Sequence, residues 1–387
     1  MPDRFGYYQN ELYLQGYGGT KPPFSTDATK LEDSAAEVLD PEAFSYVAGG
    51  AGSGATMRAN REAFDRWKLV PRMLTDATER ELDTTVLGTA MPAPVLLAPV
   101  GVQSIVHPEA ESATARAASA LGVPMVMSTA SSTSIEDVAQ ASGEGPRWFQ
   151  LYWPGDPDVC GSILARARAA GFSTLVVTLD TWTLGWRPCD LDAGYLPFLR
   201  GLGMAVAFSD PAFRQLLDKP PEQDTPTAVL RWISMITGTD RHWSALPFLR
   251  EHWDGPIVLK GIQHVDDARR AVDAGMDGIV VSNHGGRQVD GAAASLEVLP
   301  EIATAVGDRI EVLFDSGVRT GADVLKALAL GAKAVLLGRP YVYGLALGGE
   351  DGVRHVLRSV LADLDLTMAL SGHRSPADLT AAALRRA

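Results

Sequence analysis

The sequence predicts an α/β fold: a (β/α)8 TIM barrel with an N-terminal helical cap and a long lid insertion after the fourth strand. Three observations predict it. Eight short runs are β-rich and mostly apolar, as strands buried on both faces should be. Segments of helical length separate most of them, and such alternation implies parallel strands. Four of those segments stop at a glycine, which suits the left-handed position just past a helix. An open doubly wound sheet is the other arrangement these elements allow.

Residues 1–93 precede the first strand and are expected to form a helical cap with connecting segments. The strands are PVLLAP (94–99), PMVMST (124–129), RWFQLY (147–152) and TLVVTLD (174–180), then PIVLKG (256–261), GIVVSNHG (278–285), EVLFDSG (311–317) and AVLLGRP (334–340). Between them, 109–121 is Ala-rich and stops at Gly122, and 157–170 sets Val159, Ile163, Leu164 and Ala167 on one face before Gly171. Segments 265–274 and 321–330 stop at Gly275 and Gly331, and Ser134 with Asp137 reads as an N-terminal capping pair. The spacing breaks once, at 181–255; a stretch that long, rich in Trp, Pro and Leu, is expected to pack down as a lid. The barrel then spans 94–345 and a C-terminal helical segment spans 346–387, all within one domain of 387 residues.

Hydrophobic residues make up 46% and charged residues 21%, which excludes a disordered chain, a collagen-like repeat or a coiled coil. The balance of 34 basic against 47 acidic residues leaves −13, a poor match for nucleic acid or an anionic membrane. An anionic substrate must therefore be met by a few local cations. Cys160 and Cys189 give neither a disulfide framework nor metal spacing and read as reduced thiols of a cytoplasmic protein. The N-terminus lacks a basic stretch followed by an apolar run, so no secretory signal is read. No run approaches the ~20 apolar residues of a membrane helix.

In such a barrel, active residues gather at the C-terminal ends of strands. Those ends carry Pro99 and Gly101, Ser128, Gln150 and Tyr152, Thr178 and Asp180, Lys260, Ser282 and His284, Asp315, and Gly338 with Arg339. Asp315-Ser316-Gly317-Val318-Arg319 and Gly338-Arg339-Pro340 follow the seventh and eighth strands, where barrels often bind phosphate. Glycines let backbone N–H groups approach an anion, and arginine adds a bidentate fork. The sharpest motif is Ser282-Asn283-His284-Gly285-Gly286-Arg287. A histidine there can act as a general base, Asp180 can hold its imidazole and favour the cation, and Arg287 reaches the same space.

SNHGGRQ (282–288), HPEAESATARAASALG (107–122), DSGVRTGADVLKALALGA (315–332) and LTMALSG (366–372) resemble the FMN-dependent α-hydroxy-acid oxidase family, over roughly 5–385. The resemblance implies an FMN-binding barrel. It implies that Tyr46 contacts the substrate carboxylate, that Tyr152 hydrogen-bonds near the reacting carbon, and that His284 accepts a proton with Asp180 paired to it. Arg187 and Arg287 fall on the lid-loop and carboxylate-binding arginines, and Lys260 on the lysine beside flavin N1. Pro99, Val100, Gly101, Ser128, Gln150, Thr178 and Ser282 would hold the flavin ring, and Asp315, Ser316, Gly317, Arg319, Gly338 and Arg339 the ribityl chain and phosphate.

DTWTLGWRP (180–188), LPFLRGL (196–202), DARRAVDAG (267–275) and SYVAGGAG (45–52) are similar to the lactate 2-monooxygenase branch of that family. That likeness implies L-lactate and O2 turned into acetate, CO2 and water, with pyruvate kept bound meanwhile. Release of pyruvate and H2O2 by a plain 2-hydroxy-acid oxidase, or a quinone-linked dehydrogenase, are alternatives; an FMN barrel isomerase is one from another class. Gly101 is read as leaving room where related oxidases often carry Ala. Trp153 and Trp182 either narrow the pocket toward a small substrate or only pack beneath the lid. The implied partners are a small 2-hydroxy acid and O2, with no nucleic acid, membrane or metal, in a homotetramer or octamer.

Overall fold

The computed structural model describes residues 5–238 and 241–387. Eight parallel strands close into a barrel: β1 (Val95–Leu97), β2 (Met125–Ser128), β3 (Arg147–Leu151), β4 (Leu175–Thr178), β5 (Ile257–Ile262), β6 (Gly278–Val281), β7 (Glu311–Phe314) and β8 (Ala334–Leu337). Each lies beside the next, and β8 pairs back to β1 through Leu336 and Leu96. The eight strands expected from composition are all present, and closure excludes the open sheet.

Side chains alternate along each strand. One set, Leu96, Val126, Trp148, Val176, Val258, Val280, Leu313 and Leu336, forms the barrel interior. The other, including Leu97, Met127, Phe149, Val177, Leu259 and Phe314, packs outward into the main core with the surrounding helices. The glycines expected to end helices, Gly122, Gly171, Gly275 and Gly331, all have positive φ. Ser134 caps its helix by accepting the Asp137 N–H at 3.1 Å.

The cap is not wholly helical. Helices Tyr7–Tyr17, Leu31–Val38, Pro41–Ala48 and Ala55–Asp65 are followed by a hairpin, Thr84–Val86 against Thr89–Met91. Its Val86 and Met91 join the interior cluster, and Thr89 Oγ1 accepts the Trp148 indole N–H at 3.0 Å. The hairpin thus stoppers the N-terminal mouth of the barrel. Its turn places Leu87 and Gly88 at φ 49° and 77°, the two positive angles a tight hairpin needs. Leucine is not a usual turn residue, so composition conceals the turn.

The C-terminal segment also departs from expectation. Helix Arg339–Ser371 runs through the anticipated boundary at 345/346, interrupted only by non-helical backbone at Gly348 and Gly349. The last residues form a strand, Leu384–Arg386, antiparallel to Trp67–Leu69. Three-residue strands are too short to show a period.

The 181–255 insertion packs down through short helices and a longer one, Thr225–Ile236. Asp210 anchors it: fully buried, it caps Pro211–Gln215 and accepts from Ser162 Oγ at 2.9 Å and Arg166 Nη1 at 3.2 Å on the Pro157–Ala169 helix.

Candidate active site

The strand pleat builds the floor of the site. Two residues beyond each apolar interior position lies the next inward-facing one. Leu96, Val126, Trp148, Val176, Val258, Val280, Leu313 and Leu336 are therefore followed by Ala98, Ser128, Gln150, Thr178, Lys260, Ser282, Asp315 and Gly338. An apolar layer is topped by a mostly polar one at the C-terminal mouth.

That layer is internally bonded. Ser128 Oγ donates to Gln150 Oε1 at 2.7 Å. Lys260 Nζ donates to Ser282 Oγ at 2.9 Å and pairs with Asp315 Oδ2 at 2.9 Å. Thr178 stands beside Lys260 in register. Burial, the largest influence on Lys260, opposes its charge, but Asp315 and Asp180 together hold its pKa above the ordinary lysine value. Lys260 is therefore a fixed cation.

His284 stands above this floor in a left-handed conformation (φ 58°), followed by Gly285 and Gly286 at 66° and 77°. A non-glycine residue there stores strain of the kind found at functional sites. The turn is pinned by Ser316 Oγ, which accepts the Gly285 N–H at 3.0 Å, and by Ser282 Oγ, which accepts the His284 N–H at 3.1 Å. His284 Nδ1 lies 2.9 Å from Asp180 Oδ1 and 3.1 Å from Thr181 Oγ1. A bulge of β5 at Gly261 lets Asp180 in, for a Cβ on Gly261 would stand 2.9 Å from the Asp180 Cβ and Cγ.

Burial pushes the His284 pKa down; Asp180 pulls it up, Lys260 and Arg187 push it down, and the net direction is below the ordinary value. Asp180 does favour the cation, as expected, but burial with Lys260 and Arg187 outweighs it, and the imidazole is neutral at neutral pH. Burial also opposes charge on Asp180, yet His284 and Lys260 outweigh it and hold the carboxyl ionised. The hydrogen-bond pattern assigns the imidazole proton to Nδ1, facing Asp180, which leaves Nε2 as a proton acceptor.

Two arginines share the same cavity. Arg187, 6% exposed, donates through Nε to the Arg287 carbonyl at 3.1 Å and through Nη2 to Gln288 Oε1 at 2.8 Å. Arg287 donates to the Tyr46 and Gly49 carbonyls at 2.6 and 2.9 Å and lies over the Tyr46 ring at 5.1 Å. The carboxylate paired with Arg187 is Asp190, 3.9 Å away. Burial and the neighbouring Arg287 lower the Arg187 pKa to about 10, so a bound carboxylate would relieve both cations. Burial, then Asp180, pushes the Tyr152 phenol up to about 12, which keeps it a donor.

At the other end, Arg339 donates to the Val47, Gly285 and Gly49 carbonyls at 3.1, 3.0 and 2.8 Å, and Arg319 to the Val318 carbonyl at 3.0 Å. Neither makes an ion pair among the described residues. Burial lowers both pKa values, that of Arg339 to about 10. Two half-buried guanidiniums without a carboxylate partner among the described residues suit an anion.

Tyr46, Pro99, Val100, Gly101, Tyr152, Arg187, Lys260, His284, Arg287, Asp315, Ser316, Gly317, Arg319, Gly338 and Arg339 line one cavity, with about 1640 Å³ of empty space counting its open mouth. Ser128, Gln150, Thr178 and Ser282 lie in the bonded layer around and beneath it, and Asp180 stands behind His284. Sequence reasoning passed over Gln288 and Thr181. Gln288 Nε2 donates to the Asp180 and Thr183 carbonyls at 2.6 and 2.8 Å, tying the insertion to the site. Both adjoin singled-out residues, the only signal they carry in sequence. Ile233 and Ile236 of the insertion also line the cavity and fall in no motif that the sequence singles out.

Three features test whether FMN fits. Gln150 Nε2 is a buried donor without a partner among the described residues, suited to a ring carbonyl or nitrogen. Arg319 and Arg339 suit a phosphate. A Cβ on Gly338 would meet only the Ala98 Cβ, at 3.9 Å, so the backbone there is open to a ligand. The residues fit the group.

The model of the FMN-dependent dehydrogenase family matches residues 35–386. The FMN-dependent α-hydroxy acid dehydrogenase qulF of Penicillium citrinum is 52% identical, over 100% of this chain and 97% of its own length. An L-lactate oxidase of Lysinibacillus sphaericus is 41% identical over 91% of each chain. A crystal structure of mandelate oxidase superimposes with a TM-score of 0.82 at 40% identity, covering 94% of this chain and 98% of that one.

Proposed function

This chain belongs to the FMN-dependent dehydrogenase family, whose members oxidise 2-hydroxy acids, and we propose that its own reaction is the O2-linked oxidation of an (S)-2-hydroxy acid, with L-lactate and O2 giving acetate, CO2 and water. The observation that carries the reading is one cavity holding a neutral His284 backed by Asp180, beside Arg187 and Arg287.

Arg187, Arg287 and Tyr46 bind the carboxylate. An Arg–carboxylate pair at 4 Å is worth about 4 kcal/mol at an effective dielectric near 20, before desolvation. The −13 surface is screened beyond about 8 Å at physiological salt, so the local cations dominate. Tyr152 donates a hydrogen bond to the substrate. His284 Nε2 accepts a proton as the 2-hydroxy acid gives up two electrons and two protons to become a 2-oxo acid, and Asp180 stabilises the imidazolium that forms. Gln150 and the 99–101 backbone would hold the FMN ring, and Arg319 and Arg339 its phosphate. FMN, when bound, supplies the two-electron acceptor that O2 reoxidises. Lys260 offsets negative charge arriving over the floor, without reorganisation.

Acetate rather than peroxide requires that the first product stay bound. The insertion, which roofs part of the cavity, supports retention. Anaerobic titration with L-lactate followed by air tests this. Acetate and CO2 with little peroxide are expected; stoichiometric pyruvate and H2O2 would replace the reading with that of a plain oxidase. A cytoplasmic homotetramer or octamer belongs to the same proposal, and the mass of the purified protein in solution tests the assembly.

A further inference from the structure

Trp153 and Trp182, the residues that could narrow the pocket toward a small substrate, do not line the cavity. Trp153 is buried against Phe248, rings 6.1 Å apart, with the Arg241 guanidinium 4.7 Å from its ring centre. Trp182 is 58% exposed. What the insertion does bring to the cavity between Pro188 and Gly238 is almost wholly apolar: Leu196, Phe198, Met204, Trp232, Ile233 and Ile236, with Thr237 the one polar member. Four of these, Leu196, Phe198, Ile233 and Ile236, are only half-buried. Phe198 packs edge-on to Tyr46, ring centres 6.5 Å apart, so the apolar wall adjoins the ring beneath Arg287.

A substrate held by its carboxylate at Arg187 and Arg287 therefore sits in a cavity that also has a large apolar wall. A methyl group covers little of such a wall, and the rest would face water. We infer that the preferred substrates are 2-hydroxy acids whose side chain is apolar and larger than the methyl of lactate. The inference rests on the reading of the site as a 2-hydroxy-acid oxidase. It changes the favoured substrate and leaves the chemistry alone: the same two electrons and two protons leave the hydroxyl-bearing carbon.

The test is anaerobic bleaching of the FMN holoenzyme by glycolate, L-lactate, (S)-2-hydroxybutanoate and (S)-2-hydroxyhexanoate. Burial of one methylene corresponds to about a fourfold change in equilibrium constant, so kcat/KM is expected to rise about 50-fold from lactate to hydroxyhexanoate. Dissociation constants of unreactive acetate, butanoate and hexanoate, read from the flavin absorbance, should fall in parallel. In Ile233→Asn the preference for hydroxyhexanoate over lactate should shrink at least about tenfold, since a polar group then faces the chain. A flat or falling series, or a preference untouched by Ile233→Asn, overturns the inference while leaving the oxidase reading intact. Bleaching by none of the acids overturns that reading and this inference with it.

Discussion

A Cβ on Gly101 would lie 2.7 Å from the carbonyl oxygen of Ala130 and 2.8 Å from its Cβ. The same carbonyl accepts the Val102 N–H at 2.9 Å. The loops after β1 and β2 are therefore in contact at the cavity wall, and the room expected beside Gly101 is filled by Ala130. Gly101→Ala must push these loops apart, an overpacking that costs about 1–3 kcal/mol. We expect a lower Tm and weaker FMN binding, measured by thermal melting and by titration of the apoprotein. No change in either would show that the Ala130 loop yields freely.

The same two loops are joined from behind by Glu111. Fully buried, it accepts from the Gln103 N–H at 3.1 Å, the Ser132 N–H at 3.0 Å and Thr133 Oγ1 at 3.0 Å. Glu111→Leu strands all three donors, at about 1–3 kcal/mol for each. Glu111→Gln keeps an acceptor and should hold stability to within about 1.5 kcal/mol of the parent, the worth of a single net hydrogen bond. Equal losses in both variants, measured by denaturant melts, would mean that charge rather than hydrogen bonding matters.

His284 sets the pH dependence. Its pKa lies below the ordinary imidazole value, and protonation removes the acceptor. Activity is therefore lost as pH falls, with the acid limb of kcat/KM below about pH 6.5. His284→Ala should bind FMN and be bleached at least ~10²-fold more slowly. Unchanged anaerobic bleaching would remove His284 from the mechanism.

Lys260→Met should slow flavin reduction and lower the flavin reduction potential. It also leaves Asp315 buried without its cation, a loss of about 3–5 kcal/mol in stability. The double variant Lys260→Met with Asp315→Asn should recover stability but not the potential. If the potential recovers too, the lysine acts only through Asp315.

Arg339→Ala should raise the FMN dissociation constant at least about tenfold, as loss of a hydrogen bond to a charged group implies. Riboflavin, which lacks the phosphate, should bind parent and variant alike. Equal weakening of both would place Arg339 away from the phosphate.

Much of this site is legible in the sequence. Strand and helix lengths, the glycine stops and the polar residues that finish most of the apolar runs are local patterns, carried by a period of two and by chain geometry. They located the barrel, its catalytic mouth and the residues from Ser128 to Arg339 that line or underlie it. Other features depend on contacts between distant segments. Hairpin 84–91 and the pairing of 67–69 with 384–386 leave almost no periodic trace. Ala130 fills the space at Gly101, and the insertion contributes an apolar wall while Trp182 stays outside. The neutral state of His284 follows from burial, which opposes Asp180. Spacing along a chain records which way a side chain faces within its own strand or helix; the neighbour it meets, and the water it loses, exist only once the chain has closed.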